Sequence, residues 1–482
     1  MSLSIQMRRH AAAAALTGLA LRLGFVRFFP ATAGDSPAYL ELARNLLHSH
    51  VYALLRDGRM LPTDARPPGY PLFIAAVELL AGRSGSALFL AQALLDLAAC
   101  FLIAALAARL APQPARERVW IAALWLSALC PFVANYAAVP LTEVLAAFFT
   151  ALALWLLVCA WQREELPGAP PGPARKYWLV AGAAAGLATL VRAESGLILA
   201  AAGAAVAIVC ARRRQWLRIL RTGVWLAAGL LLPLLPWGVR NSITLGRLQF
   251  LSTRYAEMSG EFVPRGFYAW TNTWLVRFRD VYLLPWKIEQ EPVSIADLPP
   301  SAFDSPSERE RVARLFDEYN DALTITPEMD AQFAALARER TARHPLRTWL
   351  RVPLERAATI WLTPRVELLP VSGHVFPLAK EWEFDRSDLL VSLSLFLINA
   401  LFLLLAAAGC WTLFACRRSG GALAPPPGAM FLLAYIVLRT VFLTRLETPE
   451  PRYVLVCFPA VIALAAQFWR RWPSPLSPPS PR

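Results

Sequence analysis

Two acidic residues at the ends of apolar segments have the chemistry needed for group transfer. Asp35 lies in Gly34-Asp35-Ser36-Pro37 and Glu143 opens a long apolar stretch. A carboxylate in such a place can take a proton from a hydroxyl group. Ser36 is predicted to cap a short amphipathic surface helix that Pro37 begins. The structural alternative for Asp35 is that it only caps this helix, because acidic residues are favourable at helix N-termini.

Arginines occur in comparable positions and are predicted to bind phosphate. Arg66 precedes Pro67-Pro68, and the two prolines stiffen the chain that leads into the next apolar segment. The guanidinium group binds phosphate through two parallel hydrogen bonds and stays charged. The alternative for Arg66 is an arginine that reaches towards lipid headgroups without a specific ligand. The same phosphate-binding role is predicted for Arg192, Arg240 and Arg452.

The composition places these residues on a membrane scaffold. The chain has 482 residues, of which 57% are hydrophobic and 17% charged, with a mean hydropathy of +0.43. Soluble domains carry about 25% charged residues, and a helix needs about 20 apolar residues to cross a bilayer. The predicted fold is therefore an all-α polytopic membrane protein of about ten spans, at residues 10–30, 85–110, 119–135, 140–161, 177–192, 195–211, 222–238, 389–415, 428–444 and 453–469.

The basic residues predict the orientation of these spans. The net charge is +14, and clusters such as Arg212-Arg213-Arg214 fall in alternate short loops, as expected of cytoplasmic loops. Both termini are accordingly predicted to be cytoplasmic in an inner membrane. Binding to nucleic acid is a poor explanation of the net positive charge, because the basic residues lie in alternate loops between the predicted spans. The seven cysteines lie in or beside apolar segments without a CxxC motif, which disfavours a zinc or disulfide framework.

The topology divides the chain into four parts. Residues 1–238 form an N-terminal transmembrane core that contains the first external loop, 31–84. Residues 239–388 form an extracytoplasmic loop domain with surface helices. Residues 389–472 supply the last spans, and the Pro/Ser-rich tail 473–482 is predicted to be disordered. The first apolar segment is predicted to be an uncleaved span, with a cleaved signal peptide ending near 31–33 as the alternative.

Under this topology the candidate residues come to one face of the membrane. Loops on a rigid scaffold are where chemistry usually resides. The residues that meet at the extracytoplasmic face are Asp35, Arg66, Glu143, Arg192, Arg240 and Arg452.

Several motifs in order resemble a known enzyme group. They are GDSPAYLELARNLL, RPPGYPLF, PLTEVLAAFFTALAL, GLATLVRAESGLIL, PWGVRNSITLG, HPLRTWLRVPLERAATIW and EPRYVLVCFP. They resemble bacterial relatives of dolichyl-phosphate-mannose protein mannosyltransferases and lipid A aminoarabinose transferases. The resemblance implies a GT-C fold, a polyprenyl-phosphate sugar donor and an extracytoplasmic active site. It implies that Asp35 is the catalytic acid of the first external loop and that Arg66 faces the donor phosphate, with Tyr39 and Tyr70 in the donor or acceptor pocket.

One departure from the family concerns metal binding. Aminoarabinose transferases carry a glutamate, associated with a metal, directly before the basic residue, where this chain has Ala65. Asp64 is one place away, and His374 is a lone external histidine, which is more often structural than a ligand. No metal site is predicted, although a divalent metal is compatible with the sequence.

The predicted mechanism passes through an oxocarbenium-like transition state with a phosphate leaving group. Asp35 acts as the base, Glu143 positions the acceptor or shares that work, and the arginines stabilise the leaving phosphate. Expected partners are the lipid-linked donor, membrane lipids and a glycan, lipid or protein acceptor. One alternative is a transporter or lipid flippase, which Asp96 and Arg439 within spans favour. Another is a non-catalytic or polymerase-type component of envelope glycan assembly.

Overall fold

The computed structural model describes residues 4–165, 171–258, 260–364, 367–418 and 427–471. Within these residues the chain is almost entirely helical, with a single two-stranded sheet. Seven of the described helices are long and apolar enough to cross a membrane. The predicted all-α polytopic fold is therefore confirmed, while the tail 473–482 lies outside the described residues.

The N-terminal part contains ten helices and the hairpin. In chain order these are α1 (Ile5–Phe28), α2 (Ser36–Ser49), β1 (Ala53–Arg56), β2 (Arg59–Pro62), α3 (Gly69–Ala81), α4 (Gly85–Leu110), α5 (Arg116–Ala128), α6 (Pro131–Ala134), α7 (Glu143–Glu164), α8 (Pro171–Val191), α9 (Leu197–Arg212) and α10 (Trp216–Leu245).

The remaining helices comprise six shorter ones and then the last membrane segments. They are α11 (Arg265–Thr271), α12 (Phe278–Leu283), α13 (Pro306–Ala322), α14 (Pro327–Arg343), α15 (Val352–Leu362), α16 (Leu378–Phe384), α17 (Arg386–Arg418), α18 (Pro427–Leu443) and α19 (Phe458–Ala465). A π-helical turn (Arg347–Arg351) precedes α15, and 3-10 turns (Pro451–Cys457 and Ala466–Arg471) flank α19.

Among the described residues, fewer helices qualify as membrane spans than the ten that the sequence predicts. Besides the seven long helices, one bent pair, Gln113–Ala128 with Pro131–Ala138, makes an eighth if it is a single span broken by 45°. The apolar helix α18 has 17 residues, about 26 Å at 1.5 Å per residue, which is short for a hydrocarbon core of about 30 Å. Helix α8 has 21 residues and carries Arg175 and Lys176 in its first two turns, and it is not among the seven. Ten is therefore not confirmed.

A buried ion pair joins α1 to α4. Arg22 Nη2 lies 2.7 Å from Asp96 Oδ2, and both side chains are nearly inaccessible to solvent. Arg22 also donates to the backbone carbonyls of Gly18 and Ala128. The cavity beside Asp96 measures about 10 Å³, which is about one water molecule. Asp96 thus has a structural partner within the bundle, which removes one observation that favoured transport.

The first loop contains a β-hairpin that the sequence analysis did not predict. Asp57 and Gly58 have φ angles of 49° and 74°, the left-handed values that a tight Asp-Gly hairpin turn requires. Arg240 of α10 donates to the carbonyls of Tyr52 (2.6 Å) and Thr63 (2.8 Å) on either side of the hairpin. The loop is therefore attached to α10 through its backbone.

Residues 265–362 contain a hydrophobic core of their own. Phe267, Trp270, Phe316 and Phe333 pack together there, and all are buried. Beneath them, Arg340 lies between the carboxylates of Glu308 (2.5 Å) and Asp304 (3.3 Å), so the buried charge is compensated.

Arg356 connects residues 265–362 to the loop after α18. Its Nε donates to the Leu275 carbonyl at 2.6 Å, and its Nη1 donates to the carbonyls of Leu446 (2.7 Å) and Thr444 (3.3 Å). The side chain is buried. The loop held in this way continues directly into residues 450–453, which belong to the site described next.

Candidate active site

Asp35 lies between α1 and α2 and is held by two arginines from distant parts of the chain. Its Oδ1 accepts a hydrogen bond from Arg66 Nη2 at 2.9 Å, and its Oδ2 lies 3.6 Å from Arg452 Nη2. Asp35 precedes the first residue of α2, yet its side chain makes no capping hydrogen bond to that helix. Its observed contacts are therefore ion pairs rather than a cap.

The two arginines determine the protonation state of Asp35. Burial raises the pKa of the carboxyl group, but the charges of Arg66, Arg452 and Arg192 and the Arg66 hydrogen bond together lower that pKa below its usual value. The group is therefore ionised at neutral pH. A third of the Asp35 side chain remains accessible (34%), so a ligand can reach it.

A second charged group, centred on Arg192, lies at the start of α7. Arg192 Nη1 donates to Glu143 Oε1 and Thr142 Oγ1, both at 3.1 Å, and its Nε donates to Glu194 Oε1 at 2.6 Å. Arg439 of α18 also contacts Glu194, at 3.1 Å. Glu143 is buried, and its Oε2 atom has no hydrogen-bond partner in the described part of the chain.

Arg452 links the site to the loop before α19. Its Nε donates to Glu450 Oε2 at 2.6 Å while its Nη2 faces Asp35. Glu450 Oε1 in turn accepts from the hydroxyls of Tyr453 (2.6 Å) and Thr448 (3.1 Å). Arg452 is thus shared by two carboxylates, and Glu450 fixes its orientation.

Asp35, Glu450 and Arg452 line a cavity of about 970 Å³. Its walls come from the end of α1, the loop that follows, and the segments 278–290, 367–370 and 450–453. Many of the lining side chains are aromatic, and these are Phe28, Phe29, Tyr136, Phe278, Tyr282, Trp286 and Tyr453. The volume is that of a small-molecule site. Aromatic faces beside carboxylates suit a ligand with both apolar and hydroxyl-bearing surfaces.

The other predicted residues lie behind or beside this cavity. Arg66, Glu143 and Arg192 are not on its wall but belong to the charge network that reaches Asp35 and Arg452. Tyr39 packs edge-on against Tyr70 with ring centroids 5.2 Å apart, and both are buried. The two buried rings support the first loop. Their predicted role in the donor or acceptor pocket stays a prediction.

Arg240 is placed apart from the group around Asp35. Its observed partners are the backbone carbonyls of the first loop, the Asn241 side chain and the rings of Tyr52 and Trp237, 5.4 and 5.0 Å from its guanidinium carbon. These contacts position the loop that carries Arg66. Phosphate binding by Arg240 itself stays a prediction.

The cavity residues that were not predicted from sequence include Tyr136, Glu367 and Glu450. Glu450 directly precedes Pro451-Arg452 in the motif EPRYVLVCFP, so its position two residues before Arg452 was a usable sequence signal. Tyr136 is buried, and its hydroxyl has no hydrogen-bond partner among the described residues. A buried hydroxyl without a partner is unusual in native structures and marks this residue as a candidate ligand contact.

The described residues contain no group of three or more His, Cys, Asp or Glu side chains arranged to share a metal ion. Asp35 and Glu450 are each already paired with arginine. The possibility of a divalent metal stays a prediction.

The family comparison supports the resemblance seen in the motifs. Residues 65–238 match the family model described as dolichyl-phosphate-mannose-protein mannosyltransferase. This segment includes Arg66, Glu143 and Arg192. Among curated protein sequences, none matches the chain.

Two solved structures of one archaeal enzyme agree on the fold. The oligosaccharyltransferase AglB from Archaeoglobus fulgidus, in complex with an inhibitory peptide and a dolichol-phosphate, superposes over 95% of this chain and 49% of its own, with 15% identity and a TM-score of 0.52. The same archaeal enzyme tethered to an acceptor peptide gives 16% identity and 0.52, over 96% and 49%. ArnT from Cupriavidus metallidurans bound to undecaprenyl phosphate gives 14% identity and 0.41, over 95% and 77%.

These findings define the class of protein. The chain is a multi-pass membrane protein with a GT-C-like fold, and it spans about half the length of the archaeal oligosaccharyltransferase. The predicted resemblance to the GT-C glycosyltransferases is confirmed.

Proposed function

We propose that this protein is a membrane glycosyltransferase that transfers a sugar from a polyprenyl-phosphate donor to a hydroxyl-bearing acceptor at the extracytoplasmic face. The observation that carries this proposal is the partly exposed carboxylate of Asp35, placed on a cavity of about 970 Å³ with Arg452 beside it and Arg66 in direct contact. The match to the mannosyltransferase family and the dolichol-phosphate bound by AglB support the donor class.

The arginines supply the positive charge that a phosphate leaving group needs. Each guanidinium can give two hydrogen bonds to phosphate oxygens, and a preorganised charge stabilises a developing anion without rearrangement. Arg452 is held in orientation by Glu450, and Arg192 by Glu143 and Glu194. A donor phosphate near Asp35 would meet Arg66 and Arg452 first, with Arg192 behind them.

The same arginines connect donor binding to the basicity of Asp35. In the unliganded site they hold the pKa of this carboxyl low, which makes it a weak base. A phosphate that takes over their hydrogen bonds removes part of that stabilisation, so the pKa of Asp35 rises towards a range useful for proton abstraction. The base would thereby become effective when the donor is present.

The acceptor would lie along the aromatic wall of the cavity. Tyr282 and Trp286 offer stacking surfaces for a sugar ring. The Tyr136 hydroxyl and the carboxylates of Glu367 and Glu450 offer hydrogen-bonding groups on the same wall. The proposed acceptor class is therefore a glycan, lipid or protein that presents a hydroxyl group.

The test uses the full-length protein in lipid vesicles with undecaprenyl-phosphate-linked hexoses and pentoses. Release of undecaprenyl phosphate is measured with and without a membrane extract as the acceptor source. We expect acceptor-dependent release for at least one donor, its loss in Asp35→Asn, and its retention in Asp57→Asn, an exposed hairpin residue. Folded parent protein that consumes none of the donors would contradict the proposed function.

A further inference from the structure

A second pocket lies at the other end of the helical bundle. Helix α7 begins at Glu143 in the candidate site and ends at Glu164, 22 residues later, about 33 Å away along the helix. There a cavity of about 540 Å³ is formed by the end of α7 and the start of α10. Its lining residues are Glu164, Arg214, Gln215, Trp216, Leu217, Arg218 and Arg221.

The pocket has more positive charge than its own acids compensate. Glu164 pairs with Arg221 at 2.5 Å, and Glu165 pairs with Arg218 at 2.7 Å and Arg213 at 2.8 Å. Both glutamates are therefore fully engaged, whereas Arg214 has no side-chain ion pair or hydrogen bond to any described residue.

Arg218 adds a mostly buried positive charge to the pocket wall. Its side chain is 12% exposed and lies over the Trp161 ring. Its guanidinium pairs with Glu165 at 2.7 Å and Glu164 at 3.4 Å, so the two glutamates are shared among Arg213, Arg218 and Arg221. The pocket wall therefore carries a net positive charge that attracts an anion.

The backbone points to the same kind of ligand. Gln215 precedes the 30-residue helix α10 and gives it no side-chain cap. The first N–H groups of a helix need acceptors, and the helix dipole favours an anion there. Arg214, Arg218 and this helix end all line one cavity.

The rim of the pocket is apolar. Trp216, Leu217 and Leu220 are 64%, 84% and 67% exposed. Exposed leucines beside a tryptophan at the end of a spanning helix are typical of the boundary between lipid headgroups and acyl chains.

We propose that this pocket binds the headgroup phosphate of an anionic phospholipid in the leaflet opposite the candidate active site. Arg214, Arg218 and the first turn of α10 contact the phosphate, and the acyl chains lie along Trp216, Leu217 and Leu220. A phospholipid is favoured over the polyprenyl-phosphate donor because the pocket lies about a bilayer thickness from Asp35.

The test measures lipid retention by the purified full-length protein. Native mass spectrometry follows binding from an equimolar mixture of phosphatidylglycerol and phosphatidylcholine, with undecaprenyl phosphate in a separate competition. One arginine near an anionic headgroup contributes about 1 kcal/mol, so Arg214→Gln is expected to weaken phosphatidylglycerol binding about fivefold. Arg175→Gln, an exposed arginine at the start of α8 that does not line the pocket, is the matched control and should bind as the parent does.

Three results would overturn the proposal. They are equal retention of the two phospholipids by the parent, parental binding by Arg214→Gln, and preferential retention of undecaprenyl phosphate. Because the exposed Arg214 side chain has no ion pair or hydrogen bond to another described residue, thermal unfolding of Arg214→Gln without added lipid should match the parent. The measurement needs no sugar transfer, so its outcome is independent of the proposed function.

Discussion

At the scale of single residues, Asp35 is the group on which the proposed chemistry depends. Its contacts are Arg66 and Arg452, and it provides no cap to α2. We expect Asp35→Asn to lower sugar transfer by about 10²–10⁴, the usual cost of a lost general base. Protein yield and thermal unfolding should change little, because asparagine has nearly the same shape. Near-parental transfer by this variant, measured beside Asp57→Asn, would leave Asp35 with an electrostatic role only.

Arg66 provides a test of how Asp35 is tuned. After burial, which raises the pKa of Asp35, the charge of Arg66 is the largest influence, and it lowers that pKa. Replacing Arg66 with glutamine therefore raises the pKa, so Asp35 becomes protonated at a higher pH. We expect the acid limb of the pH–rate profile to move to higher pH, with a lower maximal rate because phosphate contacts are lost.

The control for this experiment is Arg44→Gln, which changes an exposed arginine on α2. Its acid limb should coincide with that of the parent. An unshifted limb in Arg66→Gln would show that a group other than Asp35 sets the acid side of the profile.

At the scale of helices, α8 and α10 are in unusually close contact. A Cβ atom added to Gly229 of α10 would lie 2.1 Å from the Leu179 carbonyl oxygen and 2.9 Å from Gly182 Cα. These neighbours are backbone atoms of α8, so they can move only if the two helices separate. We expect Gly229→Val to separate the helices and to cost about 1–3 kcal/mol of unfolding free energy, as overpacking usually does, which lowers the melting temperature.

Gly223 in the same helix provides the control. Nothing lies within 4 Å of an added Cβ there, so Gly223→Ala should be neutral or slightly stabilising because alanine favours helix. Equal melting temperatures for Gly229→Val and the parent in detergent would mean that the two helices do not pack as closely as described.

Much of the architecture followed from sequence, because hydropathy reports directly on the solvent around a helix. The positions of α1, α4, α7, α10 and α17 match predicted spans. The bend between α5 and α6 and the hairpin near Asp57 were not predicted, since both depend on local backbone geometry. The Asp57-Gly58 pair is a turn signal in the sequence that the prediction did not use.

The site was predictable to a lesser extent. Asp35 and Arg66 came from motifs that resemble a family, and their contact is present in the structure. The partners of Arg240 are backbone carbonyls, which any sequence supplies, so no residue pattern could reveal them. Tyr136 and Glu367 reach the cavity through long-range packing, which a single sequence does not encode in any local pattern.

At the scale of the whole molecule, the orientation in the membrane can be tested directly. Alternation of basic loops predicts that residues 239–388 are outside and the α4–α5 turn is inside. In a variant without native cysteines, a membrane-impermeant maleimide added to intact cells should label Ser307→Cys and leave Gln113→Cys unlabelled. Both positions are exposed. Labelling of Gln113→Cys alone would reverse the topology.

The attachment made by Arg356 has a consequence for how such proteins diversify. Two of its three acceptors, the main-chain carbonyls of residues 444 and 446, lie outside residues 265–362, so this part of the joint to the loop leading to Arg452 does not depend on which side chains occupy those positions. Side chains complete the joint, because Trp361 Nε1 donates to Thr440 Oγ1 at 3.0 Å and Asn399 Nδ2 donates to the Trp361 carbonyl at 2.7 Å. An exchange of residues 265–362 for the corresponding part of another homologue, and with them the aromatic wall of Phe278, Tyr282 and Trp286, is therefore expected to need Arg356 and these partners kept. Acceptor preference could change in this way while the charged centre around Asp35 stays intact.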